Sequence, residues 1–317
     1  MADKPRFLRI RRTANRIFFV SVLIAAYLYV SRFGYDALSI AAPYGWTDAP
    51  SGNVQDITFP SRRQNYLIHA FYLPGKADHP ALISVPGYRE TRHDHYHILR
   101  AEALRDLGYS VLSVDLADEG GDTIGNGRIG MGYSERWDVL GGFDYLLAQG
   151  FAADQIGVVG ESLGGSTSLL AAALEPRLKA VWADSSYARA TEAIADRGQA
   201  SGFPALIIPL IPGGMVWGWL VTGDKLWEAS PVDAGATFAA HHQAIYLVHD
   251  EKDNTVFYHN GTELNLAYQQ AHVAVTFWSV PDLDHAAAFV YLRAEYLQRL
   301  DTFFSHELRH RENVILF

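Results

Sequence analysis

The chain has 317 residues, 26 Lys+Arg against 35 Asp+Glu, a formal net charge of −9 and no cysteine. It is long enough to bury a sizeable core, and 49% hydrophobic against 19% charged residues exclude a disordered chain. An acidic body offers nucleic acid no concentrated basic surface, and the absence of cysteine excludes disulfides, thiolate nucleophiles and Cys-ligated metal sites.

Residues 1–16 form a basic arm. Lys4, Arg6, Arg9, Arg11, Arg12 and Arg16 stand against Asp3, a local +5, which leaves 20 bases and 34 acids, or −14, for the rest. Residues 17–30 (IFFVSVLIAAYLYV) then run for 14 positions without a charge and end just before Arg32. At about 1.5 Å per residue they span roughly 21 Å, short of a hydrocarbon core of about 30 Å, although Arg16 and Arg32 can snorkel and Phe33 and Tyr35 suit the interface. The pattern predicts a signal anchor over 17–35. No small-residue cleavage site follows it closely, which argues against a secretory peptide removed after export. Release after cleavage and an apolar helix of a soluble core are the alternatives. The charge bias places the amino terminus in the cytoplasm and the acidic body on the outer or periplasmic side.

Residues 36–53 read as a linker, and 54–310 as the main domain. Strands are predicted at 54–59 and 66–73, joined by a polar turn, then at 81–85, 110–116, 156–159, 180–183, 245–248 and 273–280. Helices are predicted at 99–107, closed by Gly108, and at 137–147, from near Ser162 to 174, and at 286–304. Such alternation implies an α/β protein with a mostly parallel sheet covered on both faces. It breaks at about 187–235, where Pro204, Pro209 and Pro212 argue against a regular transmembrane helix. A helical cap over the sheet is predicted there, with a second membrane-touching element as the alternative. The apolar cap residues Ile207, Leu210, Met215, Val216, Trp217, Trp219 and Leu220 suggest a hydrophobic acyl group as ligand.

The segment Ile156–Gly165 reads as a strand, then G-x-S-x-G-G centred on Ser162, then a helix. The pentapeptide alone is weak evidence. A serine on a tight strand-to-helix turn, however, stands at the carboxyl edge of the sheet with a helix N-terminus beneath it, where an oxyanion would form.

With that turn the sequence resembles the α/β-hydrolase superfamily, in the branch related to prolyl oligopeptidases and dienelactone hydrolases. The resemblance covers roughly residues 54–307. It implies the α/β-hydrolase fold, an eight-stranded type of mostly parallel sheet with helices on both faces and a helical cap. It also implies a catalytic triad in the order Ser162, Asp253, His285. The stretch 245–256 matches the acid loop with Asp253 in the acid position; Asp250 stands where a glycine is usual and remains a rival. His285 follows the last strand. The implied oxyanion donors are the backbone amides of Leu163 and of Tyr88, which follows Pro86-Gly87. Gly132-x-x-Glu135-x-x-Asp138 and Ser230-Pro231 fit the same branch.

The implied activity is that of a membrane-anchored serine hydrolase cleaving an ester, thioester or amide through an acyl-enzyme. A peptidase and a catalytically silent binding protein are the alternatives. The expected partners are a small-molecule or lipid-like acyl substrate and the membrane, with no nucleic acid, no cofactor and no metal. Two histidine motifs compete with this reading. His306-Glu307-Leu308-Arg309-His310 matches H-E-x-x-H, but Arg309 and Arg311 crowd it, so a solvated helix face is expected. His93, His95 and His97 are expected at a polar rim of the active-site mouth, and His241-His242 as an exposed pair.

Overall fold

The computed structural model describes residues 4–43, 45 and 47–309. The chain opens with a single helix of 36 residues, α1 (Lys4–Ser39), roughly 54 Å long at 1.5 Å per residue. Arm and apolar segment are thus continuous, and the helix takes in the first residues of the expected linker. No proline interrupts 6–39. Pro43 disfavours helical geometry at the residue before it, consistent with a helix that ends just upstream.

Among the described residues the strands are β1 (Gln55–Pro60), β2 (Leu67–Leu73), β3 (Ala81–Val85), β4 (Ser110–Val114), β5 (Ile156–Glu161), β6 (Ala180–Asp184), β7 (Ala244–Asp250) and β8 (Ala274–Val280). They form one sheet in the order β1-β2-β4-β3-β5-β6-β7-β8. β1 pairs antiparallel with β2 (Phe59 opposite Ile68), and β2 with β4 (Ala70 opposite Val114). The other pairings are parallel. Every residue of β3 to β7 is buried, as their near-continuous apolar sequences require of strands covered on both faces.

The helices that follow α1 are α2 (His95–Leu107), α3 (Arg136–Ala148), α4 (Leu163–Leu174), α5 (Ala190–Ala200), α6 (Pro204–Ile207), α7 (Ile211–Thr222), α8 (Gly235–Ala240), α9 (His259–Gln270), α10 (Ala288–Tyr291) and α11 (Arg293–Glu307). One face of the sheet packs Leu82, Val111 and Trp182 against Leu104 of α2 and Tyr296, Leu300 and Phe304 of α11. The other packs Ile83, Leu112 and Ile245 against Phe143 of α3, Leu169 of α4 and Leu264 of α9. Gly108 closes α2 in the left-handed region at φ 116°.

One expectation needs correction. The helix expected at 286–304 starts late, after Ala286 at φ 50°, and is split into α10 and α11 at Leu292, whose φ −118° and ψ 33° are not helical. The cap is helical, as expected: α5, α6, a 3₁₀ turn at Ile208–Leu210 and α7 follow one another. By length and composition alone, Ile10–Ser39 and Ala205–Thr222 are both apolar enough to cross a membrane. His306 lies in the last turn of α11, and His310 lies outside the described residues.

Candidate active site

Ser162 sits between the end of β5 and the start of α4 at φ 54°, ψ −124°, a conformation that costs a non-glycine residue about 1–3 kcal/mol. The turn is fastened by Ser162 N donating to Asp184 O at 2.8 Å and Ser166 N donating to Ser162 O at 3.1 Å. Its glycines are there for close approach. A Cβ on Gly164 would fall on the carbonyl oxygens of Val85 and Pro86, and one on Gly160 would come within 2.5 Å of the Gly164 carbonyl. Removing both side chains lets β5, α4 and the loop after β3 meet at one point.

That loop carries Tyr88. Among the described residues neither the Tyr88 nor the Leu163 amide has an acceptor, so both candidate oxyanion donors are free to bind one. Gly87 N donates to Glu90 Oε2 at 3.0 Å, and Arg89 N donates to Glu119 Oε2 at 2.6 Å, which fixes the backbone on either side of Tyr88. Burial holds the Glu119 carboxyl well above the usual range, with the charge of Glu135 adding to the effect. The Tyr88 phenol, pushed up to about 12 by burial, donates to Leu38 O at 2.5 Å.

Of the two candidate acids after β7, Asp253 is the one beside the histidine: its Oδ2 lies 2.7 Å from His285 Nδ1. Its Oδ1 accepts from the amides of Thr255 and Val256, both at 2.8 Å, so the carboxylate is oriented before it meets the ring. Asp250, the last residue of β7, instead accepts from Ala287 N at 2.8 Å. Burial, with the nearby Asp184, raises its carboxyl to about 7. The imidazole of His285 is disfavoured as a cation by burial, but the hydrogen bond and charge of Asp253 outweigh this and raise it above 6.5. A carboxylate oxygen at Nδ1 puts the ring proton there and leaves Nε2 as the basic nitrogen.

Ser162 and His285 line one cleft of about 470 Å³, together with Tyr88, Met131, Leu163 and Val256. Leu38 of α1 is also part of its wall. Ser162 Oγ has no hydrogen-bond partner among the described residues.

The structure adds groups that the sequence did not reveal. His249 is buried under Asp253, 3.5 Å from Oδ2, with its Nε2 donating to Val256 O at 2.8 Å. The burial that surrounds it lowers its pKa, so it stands as a neutral ring that shapes the acid loop. His97, expected at a polar rim, is instead buried: its Nε2 lies 3.0 Å from Glu90 and 3.3 Å from Glu161, the residue before Ser162. Glu90, His97 and Glu161 could each offer one ligand atom within 4.8 Å of the others, but Arg100 bonds Glu161 and supplies the compensating charge a cation would bring. The three histidines separate, with His93 edge-on to Phe71 and His95 exposed. His241 is half-buried and His242 exposed. Glu135 and Asp138 act as internal scaffolding. Glu135 accepts from the amides of Gly130 (2.5 Å) and Gly132 (2.8 Å), and Asp138 from Ser61 (2.7 Å), Tyr66 (2.9 Å) and Ala117 N (3.1 Å). Burial raises the two carboxyls to about 8 and about 7.

The sheet order, the strained serine at the end of β5 and the histidine loop after β8 define an α/β-hydrolase. The chain belongs to the prolyl oligopeptidase family, whose model matches residues 95–311, more than half of its length. Among solved structures it is similar to an esterase of Pyrococcus furiosus, with 18% identity and a TM-score of 0.62 over 84% of this chain and 99% of that one. It is similar to the α/β hydrolase GrgF of Penicillium sp. sh18, with 16% identity and a TM-score of 0.62 over 81% and 99%. It also matches an acylaminoacyl peptidase of Pyrococcus horikoshii, with 14% identity and a TM-score of 0.61 over 82% of this chain but only 43% of that one. At these identities the likeness is one of fold. No curated protein sequence matches the chain.

Proposed function

We propose that the chain is a membrane-anchored serine hydrolase that cleaves ester or thioester bonds. The carrying observation is the 2.7 Å contact of His285 Nδ1 with Asp253 Oδ2, in one cleft with a serine held at positive φ. His285 Nε2 takes the proton from Ser162 Oγ as the oxygen attacks the carbonyl carbon. Asp253 holds the ring tautomer, and the amides of Tyr88 and Leu163 receive the oxyanion. The proton passes to the leaving alcohol or thiol as the acyl–oxygen or acyl–sulfur bond breaks. Water, deprotonated by His285, then releases the acid and restores Ser162.

In this reading 1–16 is a cytoplasmic arm, 17–35 the anchor, and 54–310 an outer-side hydrolase domain with its cap at about 187–235. Support for the anchor comes from the exposed apolar side chains of α1, among them Phe18 and Phe19. The family match and the likeness to an acylaminoacyl peptidase favour peptidase activity as a second reading. Turnover of p-nitrophenyl esters against acyl-amino-acid p-nitroanilides separates the two. Ester turnover lost by a factor of about 10⁴ or more in Ser162→Ala supports the first; ester turnover that persists in that variant contradicts it.

A further inference from the structure

α1 and the cap are joined by hydrogen bonds. Trp217 Nε1 donates to Leu28 O at 2.6 Å, Tyr27 Oη donates to Pro209 O at 2.8 Å, and Gly213 N donates to Tyr27 Oη at 3.0 Å. Two to three turns further on, α1 is fastened to the body. Arg128 pairs with Asp36 at 2.7 Å, Ile129 N donates to Ser39 O at 2.7 Å, and Arg89 donates to Ala37 O and Ile40 O at 2.6 and 2.7 Å. The helix therefore ends against the loop that carries Tyr88.

Between these two attachments lies a second, apolar cavity of about 100 Å³. Its lining includes Gly34 and Leu38 of α1, Gly214 and Met215 of α7, and Met131 and Ile194. Leu38, Met131 and Ile194 also line the cleft that holds Ser162, so an apolar wall runs from the serine to the space between the helices. Two glycines leave that space open. A Cβ on Gly34 would meet nothing within 4 Å, and one on Gly214 only the Tyr35 Cβ at 4.0 Å. Neither has a positive φ, and neither is pressed by a neighbour. Glycine is locally unfavourable inside a helix, so what these two provide is room.

We propose that this cavity receives the hydrocarbon chain of the acyl group while its carbonyl lies at Ser162, which makes α1 a wall of the substrate site as well as a tether. The inference rests on the serine-hydrolase reading above. The chain runs from Ser162 past Met131 and Leu38 into the gap between α1 and α7. Cleft and cavity together fall in the range of about 300–1,000 Å³ usual for sites of small ligands.

The test uses the full chain and alkyl fluorophosphonates with methyl, butyl and octyl chains, which report on the site whether the natural bond is an ester or an amide. Labelling of the wild type should quicken with chain length, and Gly34→Leu and Gly214→Leu should each lower the octyl-to-methyl rate ratio by about tenfold. An unchanged ratio in a variant that still labels overturns the acyl site. Equal or faster labelling by the methyl probe in the wild type overturns it even if neither variant folds. Absence of any labelling of the wild type overturns the serine-hydrolase reading instead. The octyl probe is offered both as monomer and dissolved in phosphatidylcholine vesicles. A chain-length preference in either form supports the site, and the form with the steeper rise identifies the source as a soluble or a membrane-held acyl group.

Discussion

The hydrolase body and the α1–cap pair bury their apolar residues in opposite measure. In the body, Leu82, Val111, Ile245 and Phe304 are wholly enclosed between sheet and helices. In the pair, among the described residues, Tyr35, Ile194, Met215 and Leu226 form one small buried cluster, while Phe18 is 71% exposed and Phe203 and Leu206 each 67%. The body completes its own core, whereas the pair presents a broad apolar face of a kind that monomeric proteins rarely leave to water. The same chain therefore has a self-sufficient scaffold and an element whose surroundings, a bilayer in the proposed reading, finish its packing. Substitutions in the body should act on folding and chemistry, and those in the pair on anchoring and substrate choice.

The largest expected difference lies within the body. Asp253→Asn should lower kcat by about 10³–10⁴ through loss of the His285 tautomer, while Asp250→Asn, which disturbs the bonds from the Ala287 and Ala288 amides, should cost about tenfold or less; steady-state kinetics on both variants decides the assignment. Next come two glycines. Gly164→Ala drives a methyl into the Val85 and Pro86 carbonyls and should destabilise by about 2–4 kcal/mol, lowering the urea midpoint. Gly214→Ala, in open space on α7, should be neutral or stabilise by about 0.5–1 kcal/mol. Equal losses at the two positions would erase the contrast between scaffold and pair.

The pH profile sharpens the site further. Catalysis needs the neutral ring of His285, and Asp253 raises its pKa, so the acid limb of kcat/KM should have its midpoint above 6.5 and move down in Asp253→Asn. The smallest expected effect is in the pair. Trp217→Phe removes the bond to Leu28 O and should cost about 0.5–1.5 kcal/mol, read as a lower Tm in detergent.

The elements nearest Ser162 were legible because their information is local: Ile156–Glu161, the two close-packed glycines and the helix start all lie within ten residues. The resemblance put Asp253 in the acid position and His285 after the last strand, with Asp250 kept as a rival. Which carboxylate meets the ring across 32 residues of chain is a matter of side-chain direction after β7, which no local pattern records. The antiparallel pairing of β2 with β4, rather than β3, carries no local signal either. His97 looked like a rim residue because its burial is created by Glu90, Arg100 and Glu161 from three separate segments. The coupling of α1 to the cap escaped the sequence most fully, since Tyr27 and Pro209 are 182 positions apart.

The proposed function requires Ser162 to be an activated nucleophile. Peptide mass mapping of the full chain after reaction with a fluorophosphonate reads this at the residue itself. One adduct is expected, on Ser162, absent after Ser162→Ala and much slower to form after His285→Ala. An adduct on another residue, or none on the folded wild type, would contradict it.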